Sequence, residues 1–135
     1  MNVGLDGSVL VRLLTGRPEQ QAALAASRLR KELAAGRRVV VTDLALAETW
    51  YALTALGPNS YGVEPAVALQ ALRALVESRS ISLEPASGAP DALKAKGGSA
   101  GFVDRLLVAR HNALALSTLT LDHRQAKLPG AELLR

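Results

Sequence analysis

The sequence predicts an α/β protein with a parallel sheet that is covered by helices on both faces. Two observations support this class: short β-branched or alternating apolar runs take turns with longer helical runs, and Gly, Pro or Asn marks most junctions. With 135 residues and no repeat or linker, the chain has the length of one domain with its own core. We therefore expect residues 1–135 to form a single domain.

Up to residue 85, the chain should contain three strands and four helices. Strands are expected at 2–5 and 38–42, which are apolar or β-branched, and at 80–83, where polar and apolar residues alternate. The expected helices are 7–15, ended by Gly16; a helix opened by Pro18 and ended by Gly36; 44–56, capped by Asp43 and ended by 57–59; and a helix from Pro65 to about 77.

The remaining residues predict fewer helices and two further strands. Residues 86–101 are rich in Gly, Ala and Ser, which indicates a loop with at most a short helix near 91–96. A helix should follow at 102–112, then a strand at 113–117, a turn or short helix near Asp122 and a last strand at 131–134.

Composition excludes several classes of protein. Hydrophobic residues make up 49% of the chain but aromatic residues only 3%, so the core must consist of Ala, Leu and Val. The absence of Cys excludes disulfides, thiolate metal sites and a cysteine nucleophile. No secretory leader is expected, because the first residues lack a basic and then apolar pattern, and the longest nearly apolar stretch, 39–56, contains Asp43 and Glu48. A cytoplasmic protein without a membrane span is expected.

Basic residues outnumber acidic ones, 16 to 12, and the sequence pI is about 10.0. Much of the positive charge is concentrated in Arg28, Arg30, Lys31, Arg37 and Arg38. Such a surface suits a polyanion such as RNA. A solvated helix face explains the same charge equally well, and both interpretations stay open at this point.

Four acidic residues stand inside or directly after apolar runs: Asp6, Glu48, Asp104 and Asp122. A carboxylate in apolar surroundings is unfavourable unless it is paired or binds a metal. Asp6 and Asp122 follow predicted strands, and ligands of parallel sheets bind at that edge. Glu48 and Asp104 lie near the starts of helices, on stripes that should face packing partners. The pattern predicts a site for a hard cation.

Each acid also has a simpler explanation. Asp6 could cap the following helix, and Asp122 could form an Asx-turn after Thr120. Glu48 or Asp104 could belong to a buried salt bridge with Arg105 or Arg110.

Other site types fit poorly. A G-x-S-x-G run at 97–101 lacks the preceding strand of a serine hydrolase. His111 and His123 lack zinc-site spacing, and the paired acids and late Lys of a response-regulator receiver are missing.

Four short segments together resemble the motifs of PIN domains: 5–10 around Asp6, Ala47-Glu48, 101–106 around Asp104, and Thr120-Leu121-Asp122 with 127–130 after it. They occur in order over nearly the whole chain. Its length is similar to that of stand-alone VapC-like toxins. The resemblance implies a three-layer α/β/α fold with a central parallel sheet of about four or five strands. Gly7 departs from the pattern, because the family often has a hydroxyl residue there.

The resemblance further implies a Mg²⁺- or Mn²⁺-dependent endoribonuclease that uses the four acids, with a cognate antitoxin and a homodimeric state. Oxygen ligands suit these ions, and a bound ion can activate water for in-line attack on a phosphodiester. Asp6 and Asp104 are the expected direct ligands, while Ser8 and Thr120 would hydrogen-bond carboxylates. An inert PIN-like module that binds RNA or protein is the alternative. Trp50 lies about 200° around its helix from Glu48, so it should face away from the metal site. We expect it to contact a second subunit or the antitoxin, and a place in the core explains it equally well.

Overall fold

The computed structural model describes residues 2–58, 60–94 and 99–134. The chain divides into two compact units, Met1–Pro85 and Ala86–Arg135. Each unit contains helices and a small parallel sheet. The predicted α/β class with parallel strand pairing is therefore confirmed, with five strands found as a group of three and a group of two. The single-domain organisation stays a prediction.

The first unit follows the predicted order of elements closely. They are β1 (Val3–Gly4), α1 (Gly7–Thr15), α2 (Glu19–Ala34), β2 (Val39–Val41), α3 (Asp43–Thr54), α4 (Pro65–Glu77) and β3 (Ser82–Leu83). The strands are ordered β1-β2-β3, with Val3 opposite Val39 and Val41 opposite Leu83. The carboxyl ends of the three parallel strands consequently lie at one edge of this sheet.

The core of the first unit includes β2 and residues of three helices. Val39 and Val41 are almost completely buried, and Leu10 of α1, Leu46 of α3 and Leu72 of α4 have no exposed surface. Burying one such side chain contributes roughly 1.5–3 kcal/mol. The β-branched run that predicted the strand is thus buried, as a strand covered by helices should be.

The ends of the helices show how local sequence sets the boundaries. Gly16 adopts a left-handed conformation (φ +68°), and its N–H donates to the Arg12 carbonyl at 2.8 Å, which ends α1. At the start of α3 the prediction was wrong, because Thr42 is the cap and Asp43 is the first helical residue. The Thr42 hydroxyl accepts the N–H of Ala45 at 3.2 Å, while the N–H of Asp43 donates to Oε1 of Glu84 at 2.7 Å.

The expected partner contact of Trp50 is also wrong, because the side chain is buried within the chain, at 7% exposure. The angular argument placed Trp50 and Glu48 on opposite sides of α3, which the structure bears out. However, Glu48 is the residue that faces outward and Trp50 the one that faces inward. Among 49% hydrophobic residues, the periodicity of α3 gave too little contrast to decide which side was the core.

The second unit contains α5 (Ala89–Lys94), α6 (Phe102–Ala113), β4 (Thr118–Thr120), a single 3₁₀ turn (Gln125–Lys127) and β5 (Ala131–Leu133). Thr118 of β4 lies opposite Ala131 of β5 in parallel register. Ala100, Val108 and Leu128 form a buried apolar cluster against which Ala131 packs. The last strand and the helix at 102–112 therefore lie where they were predicted.

Residues 113–117 do not form the predicted strand. Helix α6 continues through Ala113, and Ala115 then takes a left-handed conformation (φ +58°). The N–H of Leu116 donates to the carbonyl of His111 at 2.8 Å, so these residues complete the end of the helix. The strand begins at Thr118 instead. The short helix expected near 91–96 spans 89–94, and its remainder and Gly97-Gly98 of the G-x-S-x-G run lie outside the described residues.

Candidate functional site

Asp6 lies two residues after β1 and caps α1. Its Oδ1 atom accepts a hydrogen bond from the Ser8 hydroxyl at 2.6 Å and one from the N–H of Val9 at 3.2 Å. The bond from Ser8, then that from Val9, with a smaller contribution from the charge of Arg12, lower the pKa of Asp6 below the ordinary 3.8. Both the simple cap and the predicted Ser8 contact are therefore present. Within the described residues, Oδ2 has no partner.

Gly7 lets the first turn of α1 lie directly against α3 at Glu48. Gly7 is buried, and a Cβ atom placed there would lie 2.7 Å from Cβ of Glu48 and 3.3 Å from the backbone nitrogen of Thr49. Carbon atoms in contact normally lie about 3.5–4.0 Å apart. A side chain at this position requires one of the two helices to move. The residue next to Asp6 thus touches the stem of Glu48, which brings these two acids into one region of the first unit.

Glu48 itself is exposed, which contradicts the expectation that it would face packing partners. It lies on the face of α3 that carries Leu44 and Tyr51, whose exposures are 74% and 60%. Within the described residues it forms no salt bridge, so the buried salt bridge considered for Glu48 is absent. The carboxylate is therefore free to bind a ligand, and large apolar side chains flank it.

In the second unit, Asp122 follows β4 and forms the Asx-turn that was considered for it. Its Oδ1 atom accepts the N–H groups of Arg124 at 2.8 Å and of Gln125 at 3.4 Å. The expected hydrogen bond from Thr120 to the carboxylate is not formed. Instead, the Thr120 hydroxyl accepts the backbone N–H of Asp122 at 3.0 Å and donates to Oε1 of Gln125 at 2.8 Å. As in Asp6, Oδ2 of Asp122 has no partner in the described part of the chain.

Asp104 is half-buried in the first turn of α6. Burial raises its pKa above the ordinary 3.8, and the negative charge of Asp122 raises it further. The two acids are thus close enough to repel each other. Asp104 forms no ion pair within the ranges that the structure describes, so the salt bridge with Arg105 or Arg110 is not formed. A cation between Asp104 and Asp122 would relieve this repulsion.

Each unit therefore contains one pair of acids: Asp6 and Glu48 in the first unit, and Asp104 and Asp122 in the second. In neither unit do the described residues group three or more carboxylates or imidazoles in a way that would hold an ion by themselves. The donor atoms fit Mg²⁺ or Mn²⁺ in chemical type, because such ions bind through one or two carboxylates and keep several waters. The residues of either pair could serve as ligands of such an ion.

The basic segment is less available for a polyanion than its composition suggested. Glu32 is buried and binds Arg28 and Arg37, each at 2.7 Å. The hydrogen bond from Arg28, followed by that from Arg37, lowers the pKa of Glu32 below the ordinary 4.5. Two of the five basic residues are thus partly neutralised, while Arg30, Lys31 and Arg38 remain exposed.

Sequence reasoning missed two residues of this region. Gly7 was noted only as a departure from a motif, although its missing side chain is what permits the contact with Glu48. Gln125 was not considered, although it is buried and bonded to Thr120. Its position could have indicated its burial, because Gln125 follows Asp122 by three residues in a segment that is buried again at Leu128.

The chain is thus an α/β protein in which each unit pairs an acid that follows a strand with an acid on a helix. A family model for the PIN domain matches residues 3–131, which include all four acids. The chain therefore belongs to the PIN domain family, whose members are generally nucleases that bind RNA and typically use divalent metal ions. No curated protein matches it at a significant level. Across the described ranges, no helix is both long and apolar enough to cross a membrane.

Proposed function

We propose that the protein is a Mg²⁺- or Mn²⁺-dependent endoribonuclease, with Asp6, Glu48, Asp104 and Asp122 as its acidic residues. The observation that carries the proposal is the pair Asp104 and Asp122. Burial raises the pKa of Asp104, the negative charge of Asp122 raises it further, and within the described residues neither acid forms a salt bridge. Such an arrangement is unfavourable in a purely structural role. It is expected where a metal ion binds.

The four acids have different roles in this proposal. Asp6 and Asp104 are the direct ligands, and Glu48 and Asp122 complete the site or orient water. The hydrogen bonds to Oδ1 hold Asp6 and Asp122 in a single orientation, which removes the need to order them when substrate binds. When bound, the ion supplies charge stabilisation and activates water for in-line displacement at phosphorus.

The test is cleavage of single-stranded or loop RNA by the purified protein. Addition of Mg²⁺ or Mn²⁺ should switch on cleavage and raise the melting temperature, because an ion that binds the folded chain stabilises it by mass action. EDTA should abolish both effects. Asp104→Asn should be inactive, whereas Asp91→Asn, which changes an exposed acid of α5, should cleave like the wild type. If Asp104→Asn unfolds the protein and metal does not affect melting, the nuclease proposal is wrong.

We further propose that the nuclease is a VapC-like toxin of a cytoplasmic toxin–antitoxin pair. A cleft of about 750 Å³ lies in the first unit between β1, α1 and α2. Apolar side chains such as Leu24 and Leu29 line it, and the basic residues Arg12 and Lys31 stand beside them. This combination fits an apolar segment of the antitoxin that also carries acidic residues.

A small reading frame next to the gene would supply the candidate antitoxin. Its product should bind the protein, and Leu24→Glu should weaken that binding at least tenfold because it introduces negative charge into an apolar surface. Leu107→Glu, which changes an exposed leucine of the second unit, is the matched control. A housekeeping nuclease is indicated instead if no neighbouring product binds.

We also propose a homodimer formed through α3. Leu44 and Tyr51 supply the exposed apolar surface that a partner would cover, and because Glu48 lies between them on the helix, the contact would border the Glu48 carboxylate. Tyr51→Arg should shift the protein towards the monomer in sedimentation experiments. An unchanged mass would rule out this face as the dimer contact.

An inert PIN-like module that binds RNA or protein is the competing function. It predicts RNA binding that is independent of metal and no cleavage under any condition. Retention of all four acids favours the enzyme, because a binding module does not need them.

A further inference from the structure

The buried amide of Gln125 is the least expected polar group in the second unit. The residue follows Asp122 by three positions and begins the 3₁₀ turn, yet only 7% of its surface is exposed. Its Oε1 atom accepts the Thr120 hydroxyl. Its Nε2 atom is buried without any partner among the described residues. A buried donor without an acceptor is unfavourable, so an apolar residue of the same size would serve packing better.

The amide nevertheless orders the atoms around Asp122. Because the Thr120 hydroxyl gives its proton to Gln125, its lone pair is turned towards the backbone N–H of Asp122, which it accepts at 3.0 Å. The N–H of Gln125 in turn donates to Oδ1 of Asp122. Gln125 therefore contacts both the carboxylate and, through Thr120, the backbone of the same residue. Thr120 is itself held, since its carbonyl accepts the N–H of Leu134 at 2.8 Å.

We propose that Gln125 is a positioning residue, which acts through Thr120 to hold Asp122 in the orientation that a divalent cation requires. The inference rests on the proposed metal-dependent function. Gln125 does not touch the ion, because its free amide nitrogen is buried. Its contribution is to restrict the rotation of the Asp122 loop, so that Oδ1 stays on the backbone N–H groups and Oδ2 stays available.

The decisive variant is Gln125→Met, which keeps the volume and removes the amide. In EDTA its melting temperature should change little. The substitution removes the unpaired donor Nε2, but it also removes the acceptor of the Thr120 hydroxyl, so the number of unpaired donors stays the same. Its affinity for Mn²⁺, measured from the signal of free Mn²⁺ in electron paramagnetic resonance, should fall about tenfold, as is usual when a partner of a metal ligand is lost. A lower melting temperature with unchanged Mn²⁺ affinity would show that Gln125 only supports the fold and would overturn the proposal. Unchanged values of both would overturn it as well.

Two variants of Thr120 show whether the effect passes through its hydroxyl. Thr120→Val should lower the Mn²⁺ affinity about as much as Gln125→Met, and the double variant should be no worse than either, because both remove the same chain of hydrogen bonds. Thr120→Ser keeps the hydroxyl and should restore most of the affinity. Additive losses in the double variant would contradict the proposal.

Hydrogen exchange separates a failure of this inference from a failure of the proposed function. In Gln125→Met the amide of Asp122 should exchange about tenfold faster, while that of Leu106, within α6, should not change. If the wild type binds no Mn²⁺, the metal-dependent function is wrong, and exchange alone decides whether Gln125 positions Asp122. Unchanged exchange at Asp122 would overturn the inference in either case.

Discussion

Substitution of Gly7 by alanine tests how closely α1 and α3 must approach. The added Cβ would lie 2.7 Å from Cβ of Glu48, about 0.8 Å inside the normal contact distance of roughly 3.5 Å. Overpacking of this kind typically costs about 1–3 kcal/mol. Alanine also lowers the conformational entropy of the unfolded chain, which stabilises the folded state by about 0.4–1 kcal/mol. We therefore expect a net loss of roughly 1–2 kcal/mol, which for a domain of this size lowers the melting temperature by about 4–8 °C.

The assay compares thermal unfolding of Gly7→Ala and Gly57→Ala in EDTA. A Cβ atom added at Gly57 would have no atom of the described residues within 4 Å apart from its chain neighbours, so that variant should melt at the wild-type temperature or slightly above it. Cleavage should respond more strongly than stability, because moving a catalytic group by about 1 Å can reduce the rate about a hundredfold. A Gly7→Ala protein that melts as high as the wild type and cleaves RNA normally would refute the reasoning.

Substitutions at three further acidic residues give the remaining predictions. Asp6→Asn should abolish cleavage and melt only slightly below the wild type at pH 7, because Asn also caps helices well but lacks the charge that the hydrogen bonds from Ser8 and Val9 stabilise, whereas Asp6→Ala should lose about 1 kcal/mol in denaturant titrations. Asp104→Asn should raise the melting temperature of the metal-free protein at pH 7. The folded-state pKa of Asp104 lies above the ordinary 3.8, so ionisation of this carboxyl destabilises the fold as the pH rises past 3.8. The higher melting temperature of Asp104→Asn should therefore disappear below pH 3.8. Glu32→Gln should lower the melting temperature at pH 7. The folded-state pKa of Glu32 lies below 4.5, so the difference should shrink as the pH falls through that lower value. A pH-independent difference would contradict either of the last two expectations.

The sequence predicted those parts of the fold that depend on local patterns. The β-branched run at β2, the glycine that ends α1 and the proline that opens α4 each act through their own backbone preferences, and these elements lie within a few residues of their predicted bounds. The strand expected at 113–117 failed because its short apolar run is equally compatible with the end of a helix. Hydrogen bonds back to α6, which no local pattern encodes, decide the outcome there.

The candidate site was predictable in its residue types but not in its contacts. Aspartates after strands could be recognised as caps or turns, and both Asp6 and Asp122 are just that. The outward direction of Glu48 was missed because α3 has apolar residues on every side. The contacts of Gly7 with Glu48 and of Gln125 with Thr120 depend on packing, so they required a structure.

The hydrogen bonds on Asp6 and Asp122 also restrict the number of oxygens that each can offer to a metal. In both residues Oδ1 already accepts two hydrogen bonds, which occupy its lone pairs, so only Oδ2 is available. Each carboxylate can then bind an ion through one oxygen but not through two. Ca²⁺ needs six to eight oxygens and often obtains two from one carboxylate, whereas Mg²⁺ accepts single oxygens and completes an octahedron with water. The turns that hold these two side chains would therefore select the smaller ion by limiting denticity, before the size of any cavity is considered.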